Sequence, residues 1–414
     1  MARTADGTSY RELLATPGFG RLAGSSLLAR VGGQMWGVAI VLYVLERFHS
    51  PSLAGLTVFI SLAPGLLISP LAGAALDRWG RIRLICVDYV LGAATLVGVV
   101  VMAAAGVLTV PSLLVLMAVS SLTVPLGFAG ARSLFPILAP SHLWDRANAL
   151  DSAIYSASNV AGPALAGVLY VAIGGGGTLL VVAAVWVAAV FAVLGIREPA
   201  RRETDRNVLG EAWDGLRETF RNPVLRAMSL SIPIANASRG VLILALPVFI
   251  LHDLHRGPDV VGFAWSVGGL AALVSGILAG RLATLGKERR LIGACMIGQA
   301  AVLAGLAAAP SQLTVYAALF LTGLLNGPQD VALFSLRQRS VSTALLGRVL
   351  AISMSLNFLG QPIGSAIGGP LVAGSARLGM AASAAFLAVG AVLLWVLLPR
   401  PALAQSSTTT VAPS

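Results

Sequence analysis

Charge is what this sequence has least of. Only 11% of its residues are Asp, Glu, Lys or Arg, against about 25% in a soluble domain. A 414-residue chain folded in water needs charge to cover its surface, so a soluble globular fold is excluded and lipid must cover most of the exterior. Cysteine is nearly absent. Cys86 and Cys295 sit inside apolar runs, so neither a disulfide framework nor a metal cluster is expected. Only four histidines occur, there is no phosphate-binding loop, and the chain is read as a non-enzyme needing no cofactor or metal. His252 and His255 flank Asp253, but solvated loop residues are the expectation there. The opening MARTADGTSYRELLATPGFGRL has no apolar core before a small-residue cleavage site, so no removable signal peptide is expected.

What is abundant is apolar and small. Hydrophobic residues make up 57% of the chain and glycine contributes 46 residues. Small residues let helices approach closely in lipid, where no hydrophobic effect drives them together. Apolar runs lie near 20–46, 53–76, 84–105, 112–136, 147–172 and 178–196. After a polar stretch at 197–226, six more lie near 227–251, 260–280, 291–309, 313–336, 346–372 and 379–398. Each is close to the roughly 20 residues that cross a bilayer as a helix. The alternating ten-residue segments of a membrane barrel are absent. The fold class expected is an all-α integral membrane protein with twelve transmembrane helices. Its parts are an N-terminal six-helix bundle (1–196), a linker (197–226), a C-terminal bundle (227–398) and a tail (399–414).

The net charge of +11 does not point to nucleic acid, because the basic residues sit at the ends of apolar runs. Arg47, Arg256 and Arg377 fall on one side and Arg30 and Arg239 within spans; the remaining 23 of 28 fall on the side of the termini. Basic residues stay cytoplasmic, so both termini are expected in the cytoplasm. Trp79, Trp144 and Trp213 lie in segments on that side and are read as interface anchors. Within the linker, 210–220 is patterned as an amphipathic helix on the inner membrane surface.

The two halves repeat. At an offset of 207, Pro51 matches Pro258, Gly55 matches Gly262, Gly73 matches Gly280 and Arg83 matches Arg290. At an offset of 202, Arg146 matches Arg348, Gly162 matches Gly364 and Gly167 matches Gly369. An ordered set of matches with a small change of offset indicates a six-plus-six duplication, with a pseudo-two-fold axis along the membrane normal and a cavity between halves.

The loop between the second and third spans reads Gly73-Ala-Ala-Leu-Asp77-Arg78-Trp-Gly80-Arg81-Ile-Arg83. It resembles the loop signature of the major facilitator superfamily, departing only in Ile82. Gly73 suits close helix approach and Gly80 a tight turn. Asp77 is placed to face a helix N-terminus and hold one conformation of the two halves. Arg81 is expected to pair with an acid at the next corner, with Asp145 as candidate. The second copy, at 280–290, has Thr284 in place of the acid. In the fifth span, Gly162-Pro163-Ala-Leu-Ala-Gly167 resembles the G-P-x-x-G element of superfamily antiporters, which implies export and a block against leak; an ordinary helix kink is the alternative. Pro163 is expected to bend the helix, and Pro362 likewise in the eleventh span. The wider stretch 136–163 is similar to the bacterial exporter branch that includes enterobactin-exporter-like and macrolide-efflux-like proteins. One departure bears on mechanism: the fourth span lacks the early Arg of many drug–proton antiporters, and Arg132 comes near the cytoplasmic end instead.

Polar residues inside spans are the candidate site. A charge at mid-bilayer costs about 2.5–3.5 kcal/mol on insertion scales and so faces a cavity or a partner. Arg30 and Gln34 share a face of the first span with Ser26 and Gly33, and Asn236 and Arg239 lie at similar depth on the seventh. With Tyr155 and Asn357 they are the candidate substrate-binding residues, the two arginines favouring an anionic or acceptor-rich group unless each pairs with an acid or a helix C-terminus. Asp151 and Asp330 are the candidate proton carriers, or else gate partners of Arg132, Arg146 or Arg337. Asp88 is placed at the cytoplasmic start of the third span, and no acid is placed near mid-membrane. The resemblance implies a monomeric secondary transporter in the plasma membrane, with the lipid bilayer, a small-molecule substrate and protons as its partners. Export of a small amphipathic compound by proton antiport is the expectation. An uptake or lipid-moving permease of the same fold, and a transport-inactive membrane sensor, are the alternatives.

Overall fold

The computed structural model describes residues 10–198, 208–280, 284–308, 311–341 and 346–399; the side chains of residues 70, 74, 145, 208, 209, 211, 212, 214 and 346–351 are outside the description. Among the described residues there is no strand. The helices are α1 (Tyr10–Ala15), α2 (Phe19–Phe48), α3 (Pro51–Trp79), α4 (Arg81–Ala104), α5 (Val110–Ser121), α6 (Val124–Leu138), α7 (Trp144–Val193), α8 (Val208–Arg221), α9 (Pro223–Val248), α10 (Pro258–Ala279), α11 (Glu288–Ala308), α12 (Gln312–Arg339), α13 (Leu346–Phe358), α14 (Gly360–Gly374) and α15 (Ala376–Leu397).

Local chemistry sets these ends. Proline at a first helical position costs no hydrogen bond, and α3 and α9 begin that way, at Pro51 and Pro223. The Ser50 side chain caps α3 by accepting from Leu53 N (3.1 Å), and Asn222 caps α9. Thr109 and Ser311 form reciprocal capping boxes with Ser112 and Thr314. Between α3 and α4 only Gly80 intervenes. Its φ of 94° is a backbone conformation that side-chain-bearing residues rarely adopt.

Nine stretches of the described helix are long and apolar enough to cross a membrane. One of them, α7, has 50 residues, about 75 Å at 1.5 Å per residue, enough for two crossings. Gly174, at φ 72° and ψ 174°, is its one non-helical residue and separates the fifth and sixth passes. The expected break at 173–177 is therefore a single residue. Pro163 lies inside α7 without interrupting its helical geometry, so the expected bend there is not a break. The fourth pass is split at Leu122–Thr123 into α5 and α6. The eleventh is split at Leu359 into α13 and α14, three residues before Pro362. With α12, whose Asn326, Gln329, Asp330 and Arg337 lower its apolarity, these make twelve passes.

We call the face where α2 begins proximal and the face where it ends distal. The packing is a duplicated plan. In the first half α2 lies along both limbs of α7; in the second, α9 lies along α14 and α15. Gly162 of α7 abuts α2 at Gln34, and its repeat mate Gly364 of α14 abuts α9 at Ala237. The halves meet along two seams, α3 with α14 and α7 with α10. A Cβ at Gly369 would lie 2.8 Å from Ser52 Cα, and one at Gly167 would lie 2.8 Å from Pro258 O. The Gly55 niche is filled by Ser365 and Gly369, that of Gly262 by Pro163 and Gly167. The sequence repeat pairs Gly55 with Gly262 and Gly167 with Gly369; the fold packs Gly55 on Gly369 and Gly262 on Gly167. Each seam is thus the other's image, backbone against backbone, near the distal face. The linker helix α8 packs on α13, α9 and α3, so it touches both halves.

Candidate functional site

The first bundle encloses a cavity of about 290 Å³ bounded by α2 to α7. Arg30 and Gln34 line it from α2, and Tyr155 lines it from α7. About 16 Å into α2 at 1.5 Å per residue, Arg30 donates to the Asp151 carboxylate (2.5 Å) and to the Asp151 backbone carbonyl (2.8 Å). Both side chains are only 12% exposed. The guanidinium also stands 5.8 Å from the Tyr155 ring centroid. Arg30 is therefore at the cavity and neutralised there at once. Asp151, expected as a proton carrier or a partner of Arg132 or Arg146, has Arg30 as its ion-pair partner, 121 residues away in sequence.

Two further walls are built around small residues. The Trp186 indole donates to Ala29 O (3.2 Å), and Cβ atoms at Gly32 and Gly92 would lie 2.7 Å and 2.9 Å from it. Asp88 fills the space that a side chain at Gly127 would take. This corrects the placement of Asp88 at the helix start: it is the eighth residue of α4 and lines the cavity with Arg30. Among the described residues no cation lies within ion-pair distance of Asp88; the Thr123 hydroxyl is its polar neighbour. The sequence offered one signal, an acid inside the apolar run LICVDYVLG.

The second bundle carries an uncharged counterpart of the Arg30 bond. Asn236 of α9 donates to the Asn357 backbone carbonyl (2.8 Å), again across 121 positions. The positions are not strict repeat mates: at the offset of 202 that pairs Gly162 with Gly364, Asp151 matches Ser353. The Asn357 amide oxygen accepts from Arg337 (2.5 Å) and its nitrogen donates to Ser353 O (3.1 Å). Arg337 is 3% exposed, and Asp330 lies in the field of both Arg337 and Arg239. Arg239 is exposed and stands 5.8 Å from the Trp265 ring centroid. Arg239 stands on the side of α9 whose charge reaches Asp330 of α12. Gln299 ties α11 to α12 through Gln329 (2.8 Å) and Asn326 (3.3 Å).

The signature loop is closed on its own half. Arg81 donates to Asp77 (2.5 Å), to Ser133 (3.1 Å) and to Glu198 (3.3 Å), and its backbone N–H also reaches Glu198 (3.0 Å). Glu198 thus stands where Asp145 was expected; the Asp145 side chain lies outside the described residues. Among those residues, Asp77 bonds Arg81 rather than a helix N-terminus or any group of the other half. Arg78 stands 5.7 Å from the Trp79 ring centroid. Among the described residues a Cβ at Gly73 would meet nothing within 4 Å, so no close helix approach is made at Gly73 by any of them. In the second copy Thr284 and Glu288 both hold Arg339, so an acid four residues on supplies the charge that position 284 lacks. Trp79, Trp144 and Trp213 are all exposed.

A duplicated helical body with an interior cavity, mostly apolar and carrying a few polar groups, has the architecture of a multi-pass membrane carrier. The profile of the Major Facilitator Superfamily matches twice, over residues 22–238 and 228–413, and the chain belongs to that superfamily. It is 36% identical over 367 residues to the uncharacterized superfamily-type transporter y4rN of Sinorhizobium fredii, covering 88% of this chain and 91% of the relative. It is 27% identical over 391 residues to the multidrug efflux pump Tap of Mycolicibacterium fortuitum, covering 91% and 94%. Among solved structures, it shares the fold of a bacterial homologue of the lysosomal transporter Spinster (TM-score 0.73, 14% identity, 91% and 95% covered) and of a bacterial ferroportin homologue (TM-score 0.72, 18% identity, 92% and 98% covered). It is a membrane transporter.

Proposed function

We propose that this chain works as a monomer in a bacterial-type plasma membrane, termini and proximal face in the cytoplasm, and exports a small amphipathic organic compound in exchange for protons. The observation that carries the reading is the cavity of about 290 Å³ beneath distal seams that are closed backbone to backbone. It offers mostly apolar walls with a few polar groups to a small molecule, all of them from the first bundle, while the distal seams close the two halves on each other. The basic residues on the proximal face support the orientation. The similarity to a multidrug efflux pump supports the direction. In an alternating-access cycle the two six-helix halves rock around the site. For the proton, Asp151 is tied to Arg30 and Asp330 lies in the field of two guanidinium groups. Asp88 is the acid left able to exchange, because a carrier carboxylate must lose and regain its proton as its surroundings change.

Inverted vesicles containing the chain test this. Acidifying the lumen should drive an amphipathic drug inward, and a protonophore should abolish the accumulation. Accumulation that ignores the protonophore refutes the coupling. A second reading, an uptake or lipid-moving permease, draws on the exposed Arg239, which suits a phosphate group. Accumulation only in right-side-out vesicles would establish it instead.

A further inference from the structure

We infer that the first-bundle cavity is a binding site for an organic cation, with Asp88 as its counter-charge. This rests on the reading of that cavity as a transport site. The two arginines suggest an anionic cargo when read from sequence alone. The structure reverses that for the first bundle. Arg30 spends its charge on Asp151 and its outer face on Tyr155, which leaves Asp88 as the one uncompensated charge on the cavity wall among the described residues. An isolated carboxylate in an apolar bundle is costly and is relieved by a cation.

The rest of the wall suits an organic cation better than a metal ion. Trp186 is clamped between Gly32 and Gly92, and Tyr89, Tyr155 and Trp36 line the same space. Aromatic faces attract ammonium groups through the ring quadrupole. A bare metal ion would need several converging oxygens, whereas a single carboxylate among rings matches a charge spread over carbon. Ser26 lines the cavity, is 1% exposed, and its hydroxyl has no hydrogen-bond partner among the described residues. Its hydroxyl oxygen adds partial negative charge to that wall. Gly127 is the positioning element, since its missing side chain is the niche that admits Asp88 to the cavity.

The test is binding to the purified full-length chain in detergent, read by equilibrium dialysis, with two probes of similar size and opposite charge: benzyltrimethylammonium and benzylsulfonate. The wild-type chain should prefer the cation by about tenfold or more. Asp88→Asn should erase the preference and Asp88→Glu should retain it. Gly127→Ala, which keeps the carboxylate but fills its niche, should weaken cation binding without strengthening anion binding. Equal binding of the two probes by the wild type, or a preference that survives Asp88→Asn, overturns the proposal. Proton-driven drug accumulation without cation preference refutes this site and leaves the export reading standing. Cation preference without accumulation does the reverse.

Discussion

Removing Asp151 should harm this protein more than removing Arg30, although the two form one ion pair. In Asp151→Asn the guanidinium stays behind, 12% exposed, keeping only the backbone carbonyl at 151 and the Tyr155 ring. A guanidinium cannot shed its proton, so its charge remains buried and under-paired. Breaking a buried pair in this way costs about 3–5 kcal/mol; the surviving carbonyl bond to a charged group returns about 1.5 of that, leaving about 1.5–3.5 kcal/mol. In Arg30→Gln the carboxylate left behind can take up a proton and become neutral, so the cost should fall to about 1–2 kcal/mol. The double variant should then be more stable than Asp151→Asn alone. Unfolding titrations of the four purified proteins give all three differences and the coupling energy. Equal losses in the two single variants, or strict additivity in the double, would refute the argument that Arg30 is neutralised by this pair.

Other consequences can be measured in the same preparations. Gly80→Ala forces a side chain to φ 94° and should cost about 1–3 kcal/mol of stability. Gly55→Leu should hold the α3–α14 seam apart, exposing a cysteine introduced at Ser52 in the same seam to a membrane-impermeant thiol reagent and lowering transport about tenfold or more. Glu198→Gln should loosen Arg81 and cost about 1–2 kcal/mol, whereas Gly73→Ala, with open space around it among the described residues, should change stability by less than about 0.5 kcal/mol. Arg239→Gln should leave stability within about 0.5 kcal/mol and alter transport only if the second bundle contacts cargo.

The passes were legible because lipid imposes one rule on every one of them, and the repeat was legible because Gly55, Gly167, Gly262 and Gly369 stand in register. What register could not show is who meets whom. The repeat aligned Gly55 with Gly262, while the contact is with Gly369, since the axis that relates the halves also swaps them. Arg30 was readable as a buried cation, but its partner lies 121 residues away on a helix whose rotation no periodicity sets. Asp88 was misplaced because helix ends are uncertain by several residues in a continuous apolar run, and an acid near such an end reads as an interface residue. For Arg81 the sequence offered Asp145 as a candidate partner, whose side chain lies outside the described residues. Glu198 answers the arginine from the end of the sixth pass, where the sequence reads only as the start of a linker.

The seams also bear on how fast such a body can move. A closure made of side chains asks each to give up rotamers, at up to about 2 kcal/mol for the long ones, and to find them again on every return. Gly55, Gly369, Gly167 and Gly262 have no rotamers to surrender. Contact along them is made by dispersion between backbones, and it is gained or lost without repacking. A carrier whose two forms must stay within a few kcal/mol of each other is served by a joint of this kind, in which neither the open nor the shut position is entropically favoured by its own side chains.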